Sequence, residues 1–208
     1  MRGVPLRSRA PGGQAFRLGW GPVVLLVALV ATPGCRHKSK TPEDAYQRFA
    51  AAVKGGDGAA LFDALDQTTR WDLMTIQKWH REAYDIVLSN YPEGPERERE
   101  RNRFEEAATA SSARELFRST AAPRLMSQLG ALVLDAPSSF DRGLGDDRAA
   151  AVLANGTRIP FAHTAKGGWG FAGLAERTAA EKNRAYHDLE VVRASAADYE
   201  RAAARAAK

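Results

Sequence analysis

The spacing of apolar residues changes near Leu132, and that change constrains the fold class more than any other feature. Before it, apolar side chains recur at three- and four-residue steps; after it they alternate. Thr41-Pro42-Glu43-Asp44 is a strong helix start, with a capping hydroxyl, a proline preset for the first turn, and two acids at the positive end of the dipole. Ala45, Tyr46, Phe49, Ala52 and Val53 follow at helical spacing until Gly55-Gly56. Asp57 can cap a short second helix carrying Leu61, Phe62 and Leu65. A third helix is predicted from about residue 69 to residue 90, with Leu73, Ile76, Trp79 or His80, Ala83, and Ile86 or Val87 inward. Pro92-Glu93-Gly94-Pro95 ends it. Shorter helical pieces are expected over 96–129, holding Leu116 and Phe117, then Leu125, Met126 and Leu129.

Beyond Leu132, Ala151-Val152-Leu153-Ala154 runs into Asn155-Gly156. This is the strongest short hairpin signal, because a tight turn there needs residues that accept positive φ. The return strand alternates, with Ile159, Phe161 and His163 on one face, while Pro160 cannot donate to a ladder and points to an edge or a bulge. Lys166-Gly167-Gly168 turns the chain into Trp169-Gly170-Phe171. From residue 174 helical spacing returns: Ala185, Leu189, Val192, Ala196, Tyr199, Ala203 and Ala206 form a narrow seam. That seam suits packing along the protein's own body, a partner or second copy, or a frayed tail. The expected architecture is α+β: N-terminal helices, a small curved antiparallel sheet, and an added C-terminal helix.

The formal net charge of +5 suggests nucleic acid until it is located. Seven of the 30 Lys and Arg residues, and none of the 25 acids, lie in the first 40 positions, so 41–208 is slightly acidic. The run Glu96-Arg97-Glu98-Arg99-Glu100-Arg101 alternates in sign and reads as a solvated surface. A nucleic-acid binder concentrates its cations on the folded domain, so that partner is not expected.

The N-terminus carries Arg2, Arg7, Arg9 and Arg17, then an apolar stretch over 20–32 that is too short to span a bilayer and whose densest part, 23–31, is closely bracketed by Pro22, Pro33 and Gly34. A basic segment followed by a short apolar one is the pattern of a secretory signal. Ala31-Thr32-Pro33-Gly34-Cys35 resembles the lipobox of bacterial lipoproteins, with a small residue directly before the chain's single Cys; Thr32 and Pro33 depart from the usual pattern. The resemblance implies a signal peptide over 1–34 and lipid attachment at Cys35. It also implies a basic tether over 35–40 and a body facing the periplasm or the exterior of a bacterial envelope. A plain cleaved signal or an uncleaved anchor stays open.

The opening Thr-Pro-Glu-Asp-Ala-Tyr-x-x-Phe helix, the Gly-Asp junction into a short Ala-Leu helix, and the closing Lys-Gly-Gly-Trp-Gly-Phe strand together resemble the NTF2-like superfamily, over roughly 41–173. Such domains wrap a curved sheet around helices and leave a pocket, which here would be followed by an amphipathic helix over 174–208. The long helical middle departs from that pattern.

Phosphate-loop, dinucleotide, zincin and serine-hydrolase motifs are absent from the sequence, and no cofactor is expected. Among the histidines, His37 falls in the tether and His187 on an exposed-looking helix; no second His lies within a turn of it, so no metal is expected. His163 shares its strand face with apolar residues, and His80 stands four residues before Tyr84, with Asp85 adjacent. His163, His80, Tyr84 and Trp169 are the candidate pocket residues; none is assigned as catalytic, and Trp71, Trp79 and Trp169 read first as core. The leading expectation is a non-catalytic envelope lipoprotein that binds a small ligand or an envelope protein. The competing readings are a pocket acid–base enzyme of isomerase or hydrolase type, and an assembly protein acting through its C-terminal helix.

Overall fold

A computed structural model describes residues 38–207, except Ala131, Val133 and Leu144. Cys35, His37 and the basic–apolar leader lie outside the described residues. The elements run α1 (Pro42–Lys54), α2 (Gly58–Ala64), α3 (Gln67–Asn90), α4 (Pro95–Thr109), α5 (Ala113–Thr120), α6 (Ala122–Gly130), β1 (Ser139–Asp141), β2 (Arg148–Val152), β3 (Arg158–Thr164), β4 (Gly168–Phe171) and α7 (Ala175–Ala206). The strands form one antiparallel sheet in sequence order, and the fold is α+β.

The helix starts follow from their caps. Thr41 Oγ1 accepts from the Asp44 N–H at 3.2 Å, Asp57 Oδ1 from those of Ala59 and Ala60 at 2.9 Å, and Ser112 Oγ from that of Glu115 at 3.2 Å. Asp66, nearly fully buried, caps α3 by accepting from the Thr69 N–H at 3.1 Å, which starts that helix two residues before the expected position.

Two apolar clusters form the interior. In the first, α1 lies across the sheet: Phe49 stacks on Phe171 with ring centroids 4.4 Å apart and meets Phe161 edge-on at 6.1 Å. Leu61 and Phe62 of α2, Phe117 of α5, and Ala151 and Ile159 of the sheet complete it. The aromatic rings of Phe49, Phe161 and Phe171 fill the helix-facing side of the strands. The second cluster joins Ala83 and Val87 of α3, Phe104 of α4, and Leu189, Val192 and Ala196 of α7. Helix α3 serves both, because Leu73 near its start packs on the first cluster and Val87 near its end on the second.

The outer edge of β4 takes up two separate segments. The Trp169 N–H donates to the Ser39 carbonyl at 3.0 Å, and Leu65 bridges Phe171, with the Asp66 N–H donating to the Phe171 carbonyl at 3.0 Å. Gly170 permits this approach: a Cβ there would lie 2.6 Å from the backbone of Leu65 and Asp66.

Several expectations change in detail. The hairpin at Asn155-Gly156 exists but is wider than a two-residue loop. Its closing bonds are Gly156 N–H to Leu153 O and Leu153 N–H to Thr157 O, both 2.9 Å, and Gly156 takes φ 80°. Pro160 lies in an interior strand without a bulge. Its carbonyl accepts from the Ala172 N–H just past the end of β4, so its missing donor falls where that ladder has finished. Trp71 is 54% exposed and not core, because the buried stripe of α3 runs through Thr69, Asp72 and Ile76. The C-terminal seam is buried as far as Ala196; Tyr199 is half-buried, and Ala203 and Ala206 are exposed. No helix among the described residues is long and apolar enough to cross a membrane.

Candidate functional site

The four sequence-nominated pocket residues occupy two places. His163 and Trp169 face each other across the β3–β4 register, with ring centroids 5.3 Å apart. His80 and Tyr84 sit on α3 among the three packed helices. Even the second pair divides: Tyr84 packs against the second apolar cluster, while His80 lines a cavity of about 310 Å³ with Ile76, Arg103, Phe104, Glu181, Arg184, Ala185 and Asp188. Asp85, the neighbouring carboxylate in sequence, is exposed.

The carboxylate near His80 is instead Asp188 of α7, and Arg103 of α4 grips it at 2.6 Å. The Arg103 guanidinium lies 5.1 Å from the centre of the Phe104 ring, and that ring is 5.6 Å from the imidazole. Burial pushes the His80 pKa below its ordinary value. Asp188 and Glu181 oppose that shift and Arg103 adds to it, so the imidazole is neutral at pH 7. Among the described residues no hydrogen bond joins the imidazole to Asp188, whose charge is engaged by Arg103. A neutral imidazole offers one hydrogen-bond donor and one acceptor to whatever enters this cavity.

A second cavity, of about 290 Å³, adjoins this one and shares Glu181 with it. Leu73 of α3, Phe117 of α5, Leu125 of α6 and Leu174 supply its apolar lining; Arg124, Arg177 and Glu181 supply charge. Glu181 is occupied, because Arg177 donates to it at 3.0 Å one helical turn away. Arg124 is exposed and makes no hydrogen bond or ion pair among the described residues. The cleft therefore combines an apolar surface with one uncommitted cation, the requirements for holding a small amphiphilic anion. Its volume lies at the lower limit of ligand cavities, which range from about 300 to 1,000 Å³.

Sequence reasoning reached His80 but missed Asp188, Arg103 and Glu181, and it passed over Arg124. Glu181, Ala185, Asp188 and Val192 recur at four- and three-residue steps on the same side of α7 as its buried seam. That spacing carried the signal; His187, next to Asp188 in sequence, is exposed, as its helix position suggested. Among the described residues no group of acids, His or Cys is arranged to hold a metal ion.

Comparison of this chain with protein-family models, curated proteins and solved structures returns no match.

Proposed function

We propose that this protein is a lipid-anchored lipoprotein of the bacterial envelope. In this reading, Cys35 is acylated after removal of residues 1–34, and the α+β body binds a small anionic amphiphile without transforming it. The lipobox-like Ala31-Thr32-Pro33-Gly34-Cys35 supports the anchor. The observation that carries the binding role is the cleft at Leu73, Phe117, Leu125 and Leu174 with Arg124 uncommitted beside it. Helix α1 lying across an antiparallel meander supports the NTF2-like reading, with one difference: the rings of Phe49, Phe161 and Phe171 occupy the space between helix and sheet, and the cleft lies among the helices.

Two measurements on the full chain, produced in a bacterial host, test this. Intact mass should show the leader removed and acyl chains on Cys35, and Cys35→Ala should release the protein from the membrane fraction. Calorimetric titration with octanoate should show binding that Arg124→Gln weakens about tenfold, as loss of one charge-assisted hydrogen bond requires, and that Leu73→Trp removes by filling the cleft. Failure of wild-type protein to bind aliphatic carboxylates or sulfonates would overturn the binding role; an unmodified Cys35 would overturn the anchor.

A further inference from the structure

The folded body begins very close to the proposed point of attachment. Ser39 is 5% exposed, and its carbonyl is held by the Trp169 N–H at 3.0 Å, while Arg48 of α1 donates to its hydroxyl at 3.2 Å. Gly168 lets the segment lie this close. It takes φ 72°, and a Cβ on it would come within 2.7 Å of the Ser39 carbonyl and 3.2 Å of Lys38 Cβ. Only four peptide steps separate Cys35 from Ser39, a leash of at most about 14 Å when fully extended. A sulfur carrying acyl chains at the bilayer surface thus brings this edge of the sheet to the headgroups.

The charged side chains at that edge are mostly cationic. Lys38, Lys40 and Arg48 surround a shallow hollow whose single acid is Asp44, and its remaining lining residues, Ser39 and Gln47, are neutral. Lys166 stands at the exposed tip of the β3–β4 hairpin, two residues before Gly168. The body as a whole is slightly acidic, so this concentration of positive charge is local.

We infer that the sheet edge bearing Lys38, Lys40, Arg48 and Lys166 is a membrane-contact face that lies against an anionic phospholipid leaflet and holds the body flush with the bilayer. This rests on the proposed anchoring at Cys35. Short-range attraction between the cations and anionic headgroups fixes which side faces the membrane, because it decays within a Debye length of about 8–10 Å. Charges farther off do not compete. Lys78, for instance, is about 16 Å along α3 from Gln67.

Lysine acetylation of the full, host-processed protein, reconstituted into vesicles and read by mass spectrometry, tests this. The vesicles are of phosphatidylcholine alone or of phosphatidylcholine with phosphatidylglycerol. A surface potential of about −30 mV lowers the local pH by about half a unit, so an amine in contact with the anionic leaflet reacts about threefold more slowly. Lys38, Lys40 and Lys166 should slow by about that factor on the anionic vesicles relative to neutral ones. Lys78 should not slow, and 1 M salt should abolish the difference. Lys166→Glu should reduce the protection of Lys38 and Lys40 without detaching the protein. If the protein floats with both kinds of vesicle while all four lysines react alike, or while protection is the same on both, the contact face is wrong and the anchor stands. If it does not float with either, the anchor and the contact face fail together.

Discussion

At the scale of single residues, His80 shows how burial and neighbouring charge compete. Burial dominates, so the folded protein holds the imidazole neutral, with its pKa below the ordinary 6.5. The unfolded chain takes up its proton near 6.5, whereas the folded chain does so only at lower pH. The stability His80 contributes is therefore full above about pH 6.5 and is lost as pH falls through the folded value. The urea midpoint should drop between pH 7.5 and 5.5, and His80→Gln should flatten part of that drop. Titration by NMR should place the His80 pKa below 6.5. It should fall further in Asp188→Asn, which removes an opposing carboxylate and leaves Arg103 uncompensated. A pKa above 6.5 in the wild type would contradict the burial argument. Close packing acts on single residues too. Gly170→Ala should cost about 2–3 kcal/mol in denaturant unfolding, because the added methyl meets the backbone of Leu65 and Asp66, which have no other path.

Among the elements, α7 packs chiefly on α3. Its buried residues Thr178, Ala185, Leu189, Val192 and Ala196 run along α3, and Lys182 pairs with the buried carboxylate of Asp72. Leu189 is 1% exposed, so Leu189→Ala should lower stability by about 3 kcal/mol. Val191, two positions on and 48% exposed, should tolerate Ser with a change of no more than about 0.5 kcal/mol in the same unfolding experiment. Helix α1 and the β2–β3 hairpin were legible in the sequence because their determinants are local: a Thr-Pro-Glu-Asp cap, an Asn-Gly turn and short-range periodicity. Strand β1 was not, since Ser139-Phe140-Asp141 has only three residues and owes its conformation to pairing with Ala150, Ala151 and Val152. The site was half legible for a similar reason. His80 stands out as a residue type, but Arg103 and Asp188 reach it from helices far along the chain. Trp71 misled because aromatic character alone does not reveal which side of α3 faces the core.

On the scale of the whole molecule, two apolar clusters share one helix, and this determines how damage spreads. Phe49→Ala in the sheet cluster and Phe104→Ala in the three-helix cluster should each cost about 3–5 kcal/mol, both side chains being almost wholly buried. Amide exchange should separate them. Phe104→Ala should speed exchange in α4 and the second half of α7 while β2 and β3 stay protected, and Phe49→Ala should do the reverse. Uniform acceleration in both variants would mean that α3 couples the clusters into one unit. The sheet itself ends on both sides in ways that resist further growth. Segments at Ser39 and Leu65 occupy the outer rim of β4, and β1 at the opposite rim is three residues long. Neither rim offers a long run of open backbone on which another chain could zip. Copies crowded together can therefore jostle at high density and still part as separate molecules.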